Sequence, residues 1–408
     1  MKVQVGGLAS SMFNIVCVFL ALQLGPALSQ GPSCPFEYLY HFGDGVTDNG
    51  NSIYVVPKVP NPAGRKPYGM TYPGYPTGRW SDGRVDFDYT AEDFGLPEIV
   101  PYLNMNHSRA ADYHGVIFST ARSPVLDFSF FKKRNIVVPP YAVPLSTQMR
   151  WFKRHLKTIC DSRSECSEWI GSSLVLMGDI EGNDITYALT QGKTIKEARS
   201  YVPAIIKAQI DATRETIRLG ARRVIIPGNG PLGCYPFILT ALQTKDPTAY
   251  DELGCLKSVN ELAVYKNDYL LSAMEDLRRE FPNVLILYGG LYDGIRTIIA
   301  NSSVIGPNGN SALKSCCGIG GKYNFDSKRF CGDKGVPVCK NPNDYIYWDG
   351  MHFTQQTHWD FEDMLVRPAL ITLNCTPLID ANTRAMRSRI SIRSLVGNVM
   401  AGDSRSSM

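Results

Sequence analysis

Apolar residues in this chain gather into five short runs: Phe36 to Phe42, Gly115 to Ser119, Ser173 to Met177, Arg223 to Ile226 and Val284 to Tyr288. Helically patterned segments lie between them. Before the last run, Val259, Leu262, Ala263, Leu270, Ala273, Met274 and Leu277 recur at three- and four-residue steps, which predicts a helix with one face on a sheet. The stretch from Thr194 to Leu219 reads the same way. Strands alternating with helices predict a parallel sheet, because parallel neighbours need long crossovers. With helices on both faces, the expected fold class is α/β, a three-layer α/β/α sandwich with a five-stranded parallel sheet. No repeat or linker divides the pattern, so residues 35–375 are expected to form one domain. Loops rich in Pro, Gly and aromatics fill Val55 to Arg84 and Gly306 to Asn343, long enough to shape a site or to be pinned by disulfides.

The ends differ from this core. Lys2, an apolar stretch from Met12 to Leu22, the Gly25-Pro26 breaker and Ala27-Leu28-Ser29 have the layout of a secretory signal peptide, expected over 1–29. The apolar stretch is shorter than the ~20 residues of a spanning helix, and no later segment is expected to cross a membrane. After Cys375 the chain turns Ser- and Arg-rich (Arg384, Arg387, Arg389, Arg393), and 376–408 is expected to be a basic, flexible tail. The formal charge is only +4 over 408 residues and is not gathered in blocks, so no nucleic-acid partner is indicated.

Loss of the signal would also remove Cys17 and leave ten cysteines, an even set that favours disulfides in an oxidising compartment. Cys160 and Cys166 are close enough to pair locally; the remaining connectivity is open. No zinc-type Cys/His spacing occurs, and neither a metal nor a cofactor is expected. Asn106-His-Ser, Asn301-Ser-Ser and Asn374-Cys-Thr are acceptor sequons for glycosylation.

Several blocks then carry chemistry. The first apolar run leads into Phe42-Gly43-Asp44-Gly45-Val46-Thr47-Asp48-Asn49-Gly50-Asn51. Pro76-Thr-Gly78-Arg79-Trp-Ser-Asp-Gly83-Arg84, Met177-Gly178-Asp179-Ile180-Glu181-Gly182-Asn183-Asp184 and Trp348-Asp349-Gly350-Met351-His352-Phe353-Thr354 follow, with Pro227 to Cys234, Asn260, Asn267 and Cys316-Cys317 between them. In this order the blocks closely resemble those of the plant GDSL esterase/lipase family of SGNH hydrolases, nearest the branch with alkaloid and phenolic ester hydrolases. The resemblance implies a flavodoxin-like SGNH fold and carboxylic ester hydrolysis. It also implies His352 as general base, Asp349 as its orienting partner, and Asn183 as an oxyanion donor beside the backbone N–H of residue 45 and of a glycine in another block.

Acyl transfer needs a nucleophile, and here the chain departs from the family. Gly45 stands where the family has serine, so no side-chain oxygen is available for an acyl-enzyme. The oxyanion glycines, normally in a Gly-Gly-Ala block, correspond to Ala121-Arg122, and Glu181 replaces the glycine of the Gly-x-Asn-Asp motif. In serine proteases the loss of the nucleophile costs ~10⁶ in kcat. Thr47 and Ser119 are nearby hydroxyls considered as substitutes, although Thr47 stands where the family commonly has Ser or Thr. Arg122 is a candidate to hold an anion, against the plainer reading of a surface salt bridge. His41 reads as a packed core histidine, and His107, His114, His155 and His358 carry no motif. Gly78, Arg79, Gly83 and Arg84 read as turn glycines and locally paired arginines.

Three functions are compatible with these residues. The first is a secreted family member without serine esterase activity that has a binding or accessory role. The second is altered chemistry of the His352/Asp349 dyad on a small specialised metabolite such as an alkaloid or phenolic ester. The third is an active esterase, if Gly45 is a variant. The expected compartment is the secretory route, ending in the apoplast, vacuole or endoplasmic reticulum.

Overall fold

The computed structural model describes residues 34–97, 99–178, 182–301 and 311–378. The expected signal peptide with Cys17, Glu181, Ser302 and Ser303 of the second sequon, and the expected tail beyond Leu378 lie outside the described residues. Six parallel strands form one sheet: β1 (Tyr38–Phe42), β2 (Val100–Pro101), β3 (Gly115–Ile117), β4 (Ser173–Met177), β5 (Arg223–Pro227) and β6 (Leu285–Gly289), in the order β2-β3-β1-β4-β5-β6. The principal helices are α1 (Asp86–Phe94), α2 (Leu145–Ile159), α3 (Asn183–Thr190), α4 (Val202–Leu219), α5 (Lys257–Glu280) and α6 (Gln355–Phe361).

The sequence predicts five strands and the structure has six. The extra one, β2, is two residues long and ends in Pro101, which is tolerated because β2 lies at the sheet edge; two residues are too few to leave a periodic signal. Without β2 the strands run in the doubly wound, flavodoxin-like order, with the chain reversing direction across the sheet at β1 and β4. The helix expected over Thr194 to Leu219 is broken into Ile195–Arg199 and α4. Pro203 sits in the first turn of α4, where its missing N–H is harmless, but its ring would clash with the carbonyl of Arg199 in a continuous helix.

Strand periodicity divides the core. Tyr40, Phe42, Val175, Met177, Val224 and Ile226 face one side and pack with Phe152 of α2, Ile206 of α4 and Leu270 of α5. Leu39, Ile117, Leu174, Leu176 and Ile225 face the other, against Phe87 and Phe94 of α1 and Leu370. These are the outer layers of the sandwich. Among the described residues no helix is long and apolar enough to cross a membrane.

All ten cysteines from Cys34 onward are paired: Cys34–Cys375, Cys160–Cys166, Cys234–Cys255, Cys316–Cys339 and Cys317–Cys331. Such a set belongs to an oxidising compartment. The first bridge ties together residues 341 positions apart, so it restricts the unfolded chain most. Replacing Cys34 and Cys375 together by serine is expected to cost ~2–5 kcal/mol. Thermal unfolding without reductant measures this; an unchanged midpoint would mean that the flanking packing alone holds the ends.

Candidate functional site

The loops after β1, β3 and β4 meet at the C-terminal edge of the sheet, where doubly wound folds bind ligands. Gly43 opens the first loop. Its N–H donates to Gln148 Oε1 at 3.0 Å, and its carbonyl accepts from Gln148 Nε2 at 2.8 Å. A Cβ at residue 43 would lie 2.6 Å from the Gly178 carbonyl oxygen, so the loops after β1 and β4 pass too closely for any side chain. The next turn is closed by Thr47 N–H donating to the Asp44 carbonyl, with Gly45 inside it. Buried Asp48 anchors the turn to the loop after β3 by accepting from the N–H groups of Gly50 (2.9 Å) and Ala121 (2.8 Å). Burial raises the Asp48 pKa, and these donors pull against that shift.

The Asp349/His352 segment is held from outside. Cys316 N–H donates to the Tyr347 carbonyl (2.9 Å) and Cys317 N–H to that of Trp348 (2.7 Å), so the two disulfides at Cys316 and Cys317 staple the long cysteine loop beneath the segment. The segment is a tight loop closed by Trp348 N–H on the His352 carbonyl (2.7 Å), with Gly350 at φ +91°, a conformation that suits glycine. Asp349 Oδ1 accepts from the N–H groups of Met351 (3.0 Å) and His352 (2.9 Å), and Oδ2 accepts from the Tyr68 hydroxyl (2.7 Å). Both carboxylate oxygens also approach His352 Nδ1, at 3.0 and 2.8 Å. Burial works to raise the Asp349 pKa, but His352, the Met351 N–H and the Tyr68 hydroxyl outweigh it and hold the carboxyl below its ordinary range. An ionised Asp349 accepts a hydrogen bond from the His352 Nδ1–H, and in that tautomer the ring lone pair lies on Nε2.

His352 Nε2 points toward Gly45. A Cβ built on Gly45 would overlap Nε2 and lie 2.7 Å from Cδ2, so the ring occupies the space of the missing hydroxymethyl group. The ring lies 4.8 Å from the ring of Trp80. Beside it is a cavity of about 30 Å³ lined by Gly45, Arg122, Asn183, Leu232, Met351 and His352, among others. That volume admits one or two water molecules, or the small end of a ligand.

Asn183 opens α3 after Gly182, which is at φ +74°. Its amide donates to Asp44 Oδ2 (2.5 Å) and to the Ser123 carbonyl (3.1 Å), so both N–H bonds are engaged. Arg122 has φ +64°, the left-handed region that favours glycine, so the backbone here keeps a glycine's shape while carrying a long side chain. Its carbonyl accepts from the Tyr187 hydroxyl, and Nη1 lies 2.6 Å from Met351 Sδ. No carboxylate pairs with the guanidinium among the described residues, and the buried Nε has no hydrogen-bond partner there. The expected surface salt bridge is therefore absent among the described residues, because Arg122 lines the cavity. Among those residues the backbone N–H groups of Gly45 and Arg122 also lack partners, whereas that of Ala121 is committed to Asp48.

Gly45, Arg122, Asn183 and His352 thus share one cavity, with Asp349 behind the imidazole. The other sequence candidates lie elsewhere. Thr47 Oγ1 donates to Ser119 Oγ (2.8 Å), which also bonds His41 Nδ1 (3.1 Å), and all three side chains are buried off the cavity. Burial pushes His155 down to about 4 and His358 to about 3, while His107 and His114 are exposed. Arg79 pairs with Asp88 (2.7 Å), Gly78 has φ +92°, and Arg84 stacks 4.1 Å over the Tyr72 ring.

Sequence reasoning did not identify Tyr68, Gln148 or Lys266. Lys266 is buried on α5, donates to Asn229 Oδ1 and is held to about 8 by burial, against the pull of Asp184 and Asp44. The available signal was a lysine on the apolar face of a patterned helix.

An oriented imidazole–carboxylate pair beside a small cavity, at the switch point of a doubly wound sheet, is the framework of a hydrolase site that lacks its side-chain nucleophile. The profile of the GDSL-like Lipase/Acylhydrolase family matches residues 39–359, and the chain belongs to that family. Acetylajmalan esterase 2 of Rauvolfia serpentina is 43% identical over 372 residues, covering 91% of this chain and 100% of the relative. A GDSL esterase/lipase of Arabidopsis thaliana is 38% identical (84% and 92% covered), and sinapine esterase of Brassica napus 37% (86% and 91%).

The Tyr68 hydroxyl favours the charged form of Asp349. A carboxyl with a depressed folded pKa contributes stability that is complete above its unfolded value of ~3.9 and is lost as pH falls through the folded value. Tyr68→Phe raises that folded value. The variant is therefore expected to lose ~1.5–3 kcal/mol at pH 7, a deficit that shrinks as Asp349 protonates in acid. Urea unfolding across pH measures it; a deficit independent of pH would contradict the role given to this bond.

Proposed function

We propose that this chain is a secreted GDSL-family protein that binds a small ester or specialised metabolite and does not form the family's serine acyl-enzyme. The observation that carries this reading is the overlap between the His352 ring and the space of a residue-45 side chain: the nucleophile is missing, and its place is filled. Thr47 and Ser119 are bonded to each other away from the cavity, which argues against a substitute hydroxyl. The names of the relatives, acetylajmalan esterase and sinapine esterase, support an alkaloid or phenolic ester as the ligand class. The paired cysteines support the secretory route, ending in the apoplast or vacuole, and the exposed Asn106 and Asn374 support glycosylation. The Cys34–Cys375 bridge supports reading 35–375 as one domain.

A second reading, altered chemistry at the His352/Asp349 dyad, is favoured by one observation: His352, held at Nδ1 by Asp349, lines the cavity. In both readings Arg122, whose guanidinium lines the cavity without a carboxylate partner among the described residues, is the ligand-binding group, while the Asn183 amide is taken up by Asp44 and the Ser123 carbonyl.

The wild type is expected to show no serine labelled by a fluorophosphonate probe; a labelled serine would contradict the proposal. Gly45→Ser must push the imidazole back against Trp80 and Asp349, an overpacking cost of ~1–3 kcal/mol, read as a lowered unfolding midpoint. An unchanged midpoint with rapid probe labelling at residue 45 would instead identify Gly45 as a variant of a working esterase.

A further inference from the structure

We infer that the ligand of this cavity is an acid: its carboxylate binds the guanidinium of Arg122, and the neutral ester of the same acid binds far more weakly. This rests on the reading that the cavity takes a small metabolite, and it names the chemical class within that reading.

Arg122 is unfavourable to the fold in two respects. Its φ of +64° is a conformation that suits glycine and strains any residue with a Cβ. Its guanidinium is permanently ionised, yet no carboxylate pairs with it among the described residues, and the buried Nε has no hydrogen-bond partner there. Withdrawing a cation from water without a counter-charge is costly. Strain and an uncompensated charge, met at one residue on the wall of a cavity, point to a binding position and not to a structural one.

The neighbouring carboxylates are already engaged. Asp349 accepts from Tyr68, His352 and two backbone N–H groups, and Asp44 accepts from the Asn183 amide and from the Val46 N–H at 3.2 Å. The guanidinium instead has the Tyr187 ring, whose centre lies 5.3 Å from Cζ, and Met351 Sδ, 2.6 Å from Nη1. A thioether is a weak acceptor on a flexible side chain, so an incoming carboxylate exchanges a poor partner for a good one. The planar fork of arginine matches the two charged oxygens of a carboxylate. An ester cannot offer them, because one oxygen is alkylated and neither carries charge.

The rest of the lining defines the remainder of the ligand. The cavity of about 30 Å³ admits a group the size of a carboxylate, and Leu232, Tyr235 and Phe237 add apolar surface to its wall. An aromatic or short aliphatic acid, with its body against that surface and its charge at Arg122, satisfies both.

The test titrates the full-length secreted protein by calorimetry with acetate, benzoate and 4-hydroxycinnamate, and with the methyl ester of each. At least one acid is expected to bind the wild type at least ~10-fold more tightly than its ester, and more weakly as salt is raised. Arg122→Gly is expected to lose ~10- to 100-fold in affinity for that acid, the worth of a charge-assisted pair. Its ligand-free unfolding midpoint is expected not to fall, because glycine relieves the left-handed backbone. The comparison of acid with ester needs no variant. An ester bound as tightly as its acid, or an acid bound equally by wild type and Arg122→Gly, overturns the carboxylate assignment and leaves metabolite binding standing. So does a ligand-free midpoint that falls in Arg122→Gly, which would assign the residue to the fold. Binding of none of these acids or esters overturns the metabolite-binding reading together with this one.

Discussion

The imidazole of His352 rests against the backbone of Gly45, and the C-terminal edge of the sheet is arranged to hold those two groups in place. Gly45 is positioned by the turn between Asp44 and Thr47, which Gln148 and Asp48 tie to α2 and to the loop after β3. His352 is positioned by Asp349, which Tyr68 and two backbone N–H groups hold from other directions. With glycine at position 45, the imidazole fills the gap between the two halves of this framework.

The framework persists without the nucleophile because its parts are satisfied by one another. Asp44, Asp48 and Asp349 are buried carboxylates, and each accepts from backbone or side-chain donors of separate loops. Removal of any one strands those donors, at ~1–3 kcal/mol for each buried group left unpaired. Family motifs at these positions therefore serve the fold as well as catalysis. Asn183 shows this most clearly, since its amide, the expected oxyanion donor, is committed to Asp44 and the Ser123 carbonyl.

The layers of the fold were legible because strand and helix periods alternate along the chain, and the ordered motif blocks placed Gly45, Asn183, Asp349 and His352 together. The two-residue strand β2 left no period to read. Tyr68 was hidden because its role comes from a partner 281 positions away, inside a loop without pattern. Arg122 was read as a lost glycine, yet its φ of +64° keeps the glycine's backbone, a compensation that no side-chain identity reveals. The position of the imidazole was equally beyond the sequence, which shows that an atom is missing and not what moves into its place.

That position is the central claim, and proton–proton distances measure it directly. In protein labelled selectively at glycine and histidine, strong nuclear Overhauser contacts are expected between the Gly45 α-protons and a ring proton of His352. A ring with no contact to Gly45, and a water exchanging between them, would contradict the account.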